Sequence, residues 1–118
     1  MILVRIARRF LREMTIKSIV LRHSRGRHLK ASINAKGDLV IEGQDLGSEV
    51  EGILGYSEYE WAWTISANDC DRLRAALGAK SDLLSALGER FSGENAADLQ
   101  SFLESEGIEF EAWGRIGD

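Results

Sequence analysis

The sequence predicts an α+β domain in which about five strands form an antiparallel sheet and helices pack on one of its faces. Segments before residue 66 are rich in β-branched residues or alternate apolar with polar residues, which is typical of strands. Apolar residues in 66–107 recur instead at helical spacing. With 118 residues, 44% of them hydrophobic, the chain can form one domain with its own core.

The strand pattern is clearest in two segments. In 28–34, Leu29, Ala31 and Ile33 alternate with polar residues, so this strand should bury one face. In 57–65, an aromatic stripe that includes Trp61 should point to one side and enter the core. Short glycine-containing loops separate the first three strands, which therefore form a predicted meander. The predicted strands are 15–22, 28–34, 38–42, 57–65 and 108–113.

The helix predictions rest on caps and apolar stripes. Asp45 is the predicted N-cap of a short helix over 46–54, with Gly43 as a turn or cap residue beside it. Glycine within a helix is unfavourable, so Gly88 is expected to end its helix early. The other predicted helices are 69–77, 81–91 and 94–106, with Gly78 and Gly107 as C-terminal caps.

Charge divides the chain into two parts. Residues 1–30 hold nine basic residues and one acidic residue, a net charge of +8, whereas residues 31–118 carry −12. This division excludes a uniformly basic nucleic-acid-binding protein. Residues 1–14 fit a basic amphipathic helix, or an extension ahead of a start at Met14, and 15–118 form the predicted domain.

Cysteine usage and hydropathy favour a cytoplasmic protein. Cys70 is the single cysteine, so an intrachain disulfide is excluded, and its place among apolar positions predicts a buried structural thiol. No apolar run reaches the roughly 18 residues that span a bilayer, so no membrane association is predicted.

The sequence contains no recognised catalytic motif. His23 and His28 lack nearby acidic or thiol ligands, so neither a metal nor another cofactor is predicted. A P-loop and a nucleophile elbow are both absent from the sequence. The main prediction is therefore a non-catalytic protein. A small enzyme remains an alternative, in which paired carboxylates such as Glu58 with Glu60 or Glu109 with Glu111 act as general acid and base.

A basic segment offers a second alternative. The segment 22–30 (RHSRGRHLK) could contact phosphate groups of nucleic acid. The acidic remainder of the chain disfavours this reading because it repels phosphate. The residues that would carry a nucleic-acid-associated regulator are Arg22, Arg25, Arg27 and Lys30.

Acidic residues grouped near an exposed aromatic residue predict a docking surface for a basic protein. Complementary charge would accelerate encounter, and the aromatic side chain would be buried as an anchor. The predicted contact residues are Glu42, Asp45, Glu49, Glu58, Glu60 and Trp113.

Three segments carry a family resemblance. The segments 37–47 (GDLVIEGQDLG), 58–65 (EYEWAWTI) and 110–118 (FEAWGRIGD) resemble a family of short bacterial α+β proteins. The general type also resembles immunity proteins of bacterial toxin systems, including contact-dependent growth inhibition. That resemblance implies a small, acidic, cytoplasmic protein that neutralises a cognate toxin domain by binding it.

Overall fold

The strands and helices below come from a computed structural model, which describes residues 15–24, 26–46 and 58–117. The predicted N-terminal segment 1–14 lies outside these residues. The five strands are β1 (Thr15–Ser24), β2 (Arg27–Asn34), β3 (Leu39–Leu46), β4 (Glu58–Ile65) and β5 (Glu111–Gly117). The helices are α1 (Ala67–Leu77), α2 (Leu83–Arg90), a 3-10 helix η1 (Gly93–Asp98) and α3 (Leu99–Ser105).

The five strands form one antiparallel sheet whose spatial order follows the chain, β1-β2-β3-β4-β5. The register places Ile41 opposite both Ala31 and Trp63. The predicted α+β class is therefore confirmed. β1 is an edge strand, and its register against β2 shifts twice. Such irregularities reduce the tendency of an edge strand to pair with another chain.

The core lies between the helices and one face of the sheet. Ile41 and Ile65 of the sheet, and Leu73, Leu87 and Leu103 of the helices, have no solvent exposure. Trp61 and Trp63 pack against this cluster, with their ring centroids 4.5 Å apart. The aromatic stripe predicted to enter the core therefore does so.

The helix ends follow the predicted capping chemistry. The Ser66 hydroxyl accepts a hydrogen bond from the Asp69 amide at the start of α1. Gly78 ends that helix at φ 62°, a left-handed conformation that glycine adopts without steric cost. The Asp38 carboxylate also accepts from the Ala67 amide at 3.0 Å, which ties the start of β3 to α1.

The predicted helix cap at Asp45 is wrong. Strand β3 runs through Asp45, which pairs with Arg27 on one side and with Tyr59 on the other. Both neighbouring strands form backbone hydrogen bonds with this segment, so its amide and carbonyl groups need no helix cap. The strand therefore continues beyond residue 42. Gly43 is correspondingly a residue of β3 and not a turn. The rest of the predicted helix, 47–54, lies outside the described residues.

Two further predictions need correction near the C-terminus. The predicted helix 94–106 divides into η1 and α3, and the last strand begins at Glu111 instead of residue 108. Ile108 is 4% exposed, so it enters the core before the chain joins the sheet edge. No helix of the described residues is long and apolar enough to span a bilayer.

Gly88 does not end its helix, because α2 continues to Arg90. A Cβ atom at this position would lie 2.6 Å from Ile19 Cδ1 of β1. The missing side chain lets the edge strand approach the helix, and this packing offsets the low helix propensity of glycine.

Candidate functional site

The sheet has a second face, opposite the described helices, which we call the open face. Cross-strand pairing places side chains of one row on the same side of a sheet. Lys30 pairs with Glu42, Glu42 with Ala62, and Ala62 with Trp113. These four residues therefore form a row across β2, β3, β4 and β5.

A broad depression of about 1080 Å³ lies on the open face. Its lining includes Glu42, Glu60, Ala62, Glu111 and Trp113. Trp113 is 48% exposed, which is unusual for so large an apolar side chain. The depression thus combines a solvent-accessible aromatic ring with several carboxylates.

Charge is unevenly distributed over this depression. Its β1–β2 side is lined by Arg22 and Lys30, together with the adjacent, mutually tilted imidazoles of His23 and His28, whose centroids are 4.4 Å apart. Its β3–β5 side is lined by the acidic residues Glu42, Glu60 and Glu111. A docked molecule would therefore place its positive groups over β3–β5.

Two polar contacts hold carboxylates of the open face in place. Lys30 Nζ lies 3.8 Å from Glu42 Oε2, and both side chains are about half exposed. Gln44 Nε2 donates to Glu60 Oε1 at 3.3 Å. An exposed ion pair contributes only about 0–1 kcal/mol, so Glu42 can exchange Lys30 for another cation at little cost.

Ser32 is the unusual polar residue of this face. It is 1% exposed, and its Oγ has no hydrogen-bond partner among the residues that the structure describes. Leaving a buried hydroxyl unpaired costs about 1–3 kcal/mol. Ser32 also lines the depression, so a polar group entering there could satisfy it.

The structure brings together only part of the predicted contact set. Glu42, Glu60 and Trp113 share the open face. Asp45 does not, since it lines a smaller crevice of about 230 Å³ on the helix side, beside Trp61. Glu49 lies outside the described residues. For Glu58 the structure describes the backbone, which begins β4 opposite Leu46 and Gly117.

Sequence reasoning missed Gln44, Ser32 and, as a contact residue, Glu111. Gln44 and Glu42 lie two residues apart on β3, so extending the strand alternation past residue 42 would have placed both on one face. Ser32 carries no such signal, because its unpaired state depends on the tertiary structure.

The basic residues of the alternative nucleic-acid site are divided between the two faces of the sheet, and Arg22 lines a cavity on each. Lys30 is paired with Glu42 on the open face, and Arg22 Nε donates to Ser24 Oγ at 3.3 Å. Arg27 lies opposite Asp45 and lines the crevice on the helix side. Arg25 lies outside the described residues.

Among the described residues, no group of three or more His, Cys, Asp or Glu side chains is placed to hold a metal ion. Of the paired carboxylates considered for catalysis, Glu60 and Glu109 line the open-face depression together with Glu111.

Cys70 is buried as predicted, with 7% exposure, and its Sγ donates to the Ile65 carbonyl at 3.7 Å. Burial raises the pKa of the thiol, and the nearby carboxylate of Asp38 adds to this effect. A raised pKa keeps the sulfur protonated, whereas a nucleophile must be a thiolate.

The raised pKa of Cys70 predicts a loss of stability at alkaline pH. The unfolded thiol releases its proton near its ordinary value of 9.0, whereas the folded thiol retains it. The stabilisation from a neutral Cys70 is therefore complete below that value and decreases as pH rises through the folded pKa. Urea unfolding of the wild type and Cys70→Ala across this range should give a steeper alkaline decrease for the wild type. Lysine and tyrosine titration affects both proteins equally, so only Cys70 can make their pH dependences differ. An equal decrease in unfolding free energy with pH for both proteins would contradict the prediction.

Comparison with protein-family models, curated proteins and solved structures found no match to this chain.

Proposed function

We propose that this chain is a non-catalytic cytoplasmic protein that neutralises a cognate bacterial toxin by binding it on the open face. The observation that carries the proposal is the half-exposed Trp113 in one row with Glu42 on that face. Interfaces gain most of their binding energy from a few buried aromatic or arginine side chains, surrounded by polar contacts. Trp113 and the adjacent carboxylates have this composition.

Charge supports a basic partner. Residues 31–118 carry a net charge of −12, and six acidic residues line the depression, among them Glu42, Glu60 and Glu111. Complementary charge accelerates diffusional encounter and selects among partners. A toxin that acts on nucleic acid needs a basic surface for phosphate, and an acidic protein can occupy that surface. The resemblance to immunity proteins supports this class of partner.

Binding and protection from a toxin would test the proposal directly. The probe is a toxin domain encoded by a gene adjacent to that of this chain, made as an inactive variant for calorimetry and as the active protein for growth assays. The wild type should bind it and restore growth. Trp113→Ala should weaken binding by about thirtyfold or more, as expected for an aromatic anchor. Glu104→Gln, an exposed change on α3, is the matched control and should bind like the wild type.

Three results would contradict the proposal. One is the absence of both binding and growth protection. Another is equal affinity for the wild type and Trp113→Ala. The third is retardation of DNA or RNA at low ionic strength that weakens steeply with salt and is lost in Lys30→Gln, since this would favour the nucleic-acid alternative.

A further inference from the structure

We propose that the open face contains a binding site for one arginine side chain of the protein partner. This arginine site has Ala62 as its floor, Glu42 on one side and Trp113 on the other. The inference rests on the proposed function, because it names the group by which the partner is recognised.

The register gives the site its dimensions. Ala62 pairs directly with Glu42 of β3 and with Trp113 of β5. Adjacent strands are about 4.8 Å apart, so the Cα atoms of Glu42 and Trp113 lie about 10 Å apart across two intervals. The Ala62 methyl group fills little of the space between the two long side chains. The row therefore has a gap at its centre that is open to the depression.

The chemistry of the two walls fits a guanidinium group. A cation within about 6 Å of an indole ring is attracted to its face, and the planar guanidinium also stacks on it. The N–H edges of the stacked group lie in its own plane and carry two parallel donors, which match the two oxygens of a carboxylate, and the long Glu42 side chain can extend beside that plane to accept them. The Glu42 carboxylate is about half exposed and holds Lys30 at 3.8 Å, so it can accept an arginine instead.

The buried hydroxyl of Ser32 is an independent observation that points to an occupant. Ser32 lies on β2 in the neighbouring row of the open face, two strands away from Ala62, and pairs with Val40. Its Oγ is buried, has no partner in the described part of the chain and borders the same depression. A partner segment that places its arginine over Ala62 and extends across the depression to β2 would bring a polar group to this hydroxyl.

The side chains of Glu42 and Trp113 favour arginine over lysine. A lysine ammonium would meet the negative charge of Glu42, but it has no plane to stack on Trp113 and no paired donors for a carboxylate. Simple charge attraction would give equal affinity for both cations. Preference for arginine therefore separates the site from a general acidic surface.

Two peptides of equal charge test the site on the full chain. The probes are an acetylated, amidated octapeptide of alternating alanine and arginine, and its lysine counterpart. Binding is followed by NMR at the indole N–H of Trp113, which is assigned by its loss in Trp113→Phe. The arginine peptide should shift this signal and bind about tenfold more tightly than the lysine peptide, a typical margin for a stacked, bidentate contact.

Substitutions at the floor and wall complete the experiment. Ala62→Leu should fill the gap and reduce arginine binding about tenfold. Glu42→Gln retains the shape of the wall but removes its charge, and should lower the arginine preference. Glu104→Gln is the control and should bind the arginine peptide like the wild type. If Ala62→Leu folds poorly, Glu42→Gln still tests the arginine site.

The outcomes separate this inference from the proposed function. Equal binding of both peptides, or an unshifted Trp113 signal, would overturn the arginine site. Full toxin binding by Ala62→Leu would overturn it as well, while leaving the proposed function intact. Arginine-selective binding at Trp113 by a chain that fails to bind the toxin would uphold the site and refute the toxin proposal.

Discussion

Replacing Gly43 with alanine should destabilise the fold by about 3 kcal/mol, the upper range for adding one methyl group to a packed site. A Cβ atom at this position would lie 2.1 Å from Trp61 Cε2, far inside contact distance. Movement of the Trp61 ring is restricted, because the tilted Trp63 ring packs beside it and in turn contacts Phe110, with the Trp63 and Phe110 ring centroids 4.9 Å apart. Either the ring or strand β3 must therefore shift.

A double-mutant cycle with Trp61 tests the cause of this loss. In a Trp61→Ala background the added methyl group meets no ring, so Gly43→Ala should cost less than about 1 kcal/mol there. Gly114→Ala is the matched control in β5, where the nearest atom to the new Cβ is the Tyr59 hydroxyl at 3.3 Å. Urea unfolding of the four cycle members and the control gives the measurement. An additive cycle would show that Trp61 is not the obstacle.

The segment around Gly43 is one that local sequence rules predict wrongly. The segment 43–47 (GQDLG) has the glycines and the aspartate of a turn and a helix cap, so local rules predict both. In the structure, β2 pairs with this segment as far as Asp45 and β4 pairs with it as far as Leu46, and both keep it extended. The glycine is needed because an indole ring packs on the backbone, a contact that only the fold creates.

Elements with a strong period or a clear cap were predictable. The alternation of β2 and β4 correctly assigned Leu29, Ala31 and Trp61 to the covered face. Gly78 was predicted as a cap because its neighbours show a helical stripe that ends there. The prediction of one continuous helix over 94–106 is wrong for a different reason. The spacing of apolar residues does not distinguish a 3-10 turn from the first turn of an α-helix.

The candidate site was predictable by residue type but not by arrangement. Alternation along single strands suggested that Glu42, Glu60 and Trp113 point outward. The row that joins Glu42, Ala62 and Trp113 depends on the register between strands, which the sequence of each strand does not specify. An error of one residue moves a side chain to the other face. The prediction misplaces Asp45 because the predicted strand ends at residue 42, whereas β3 continues to Leu46.

Replacing Leu87 with alanine should lower the free energy of unfolding by about 3 kcal/mol, as is typical for truncating a fully buried leucine. Leu87 has no solvent exposure and lies in the middle of α2. This helix has eight residues, and four of them are buried. Helices this short are unstable in isolation, so α2 depends on its packing for stability. Helix α2 packs against the edge strand β1. Truncation of Leu87 should therefore loosen both α2 and β1.

Glu89→Ala on the exposed side of α2 is the matched control and should change stability by less than about 0.5 kcal/mol. A domain of this size is stable by only about 5–15 kcal/mol, so the Leu87 variant should lose a large fraction of its stability and still fold at low temperature. The arginine site lies on β3–β5 and the face opposite α2, so the folded variant should bind the arginine peptide with wild-type affinity. Reduced affinity in the fully folded protein would show instead that the packing of α2 determines the shape of the open face. A small change in unfolding free energy would mean that the core repacks around the missing side chain, since the cost of such a truncation depends on how far the site can collapse.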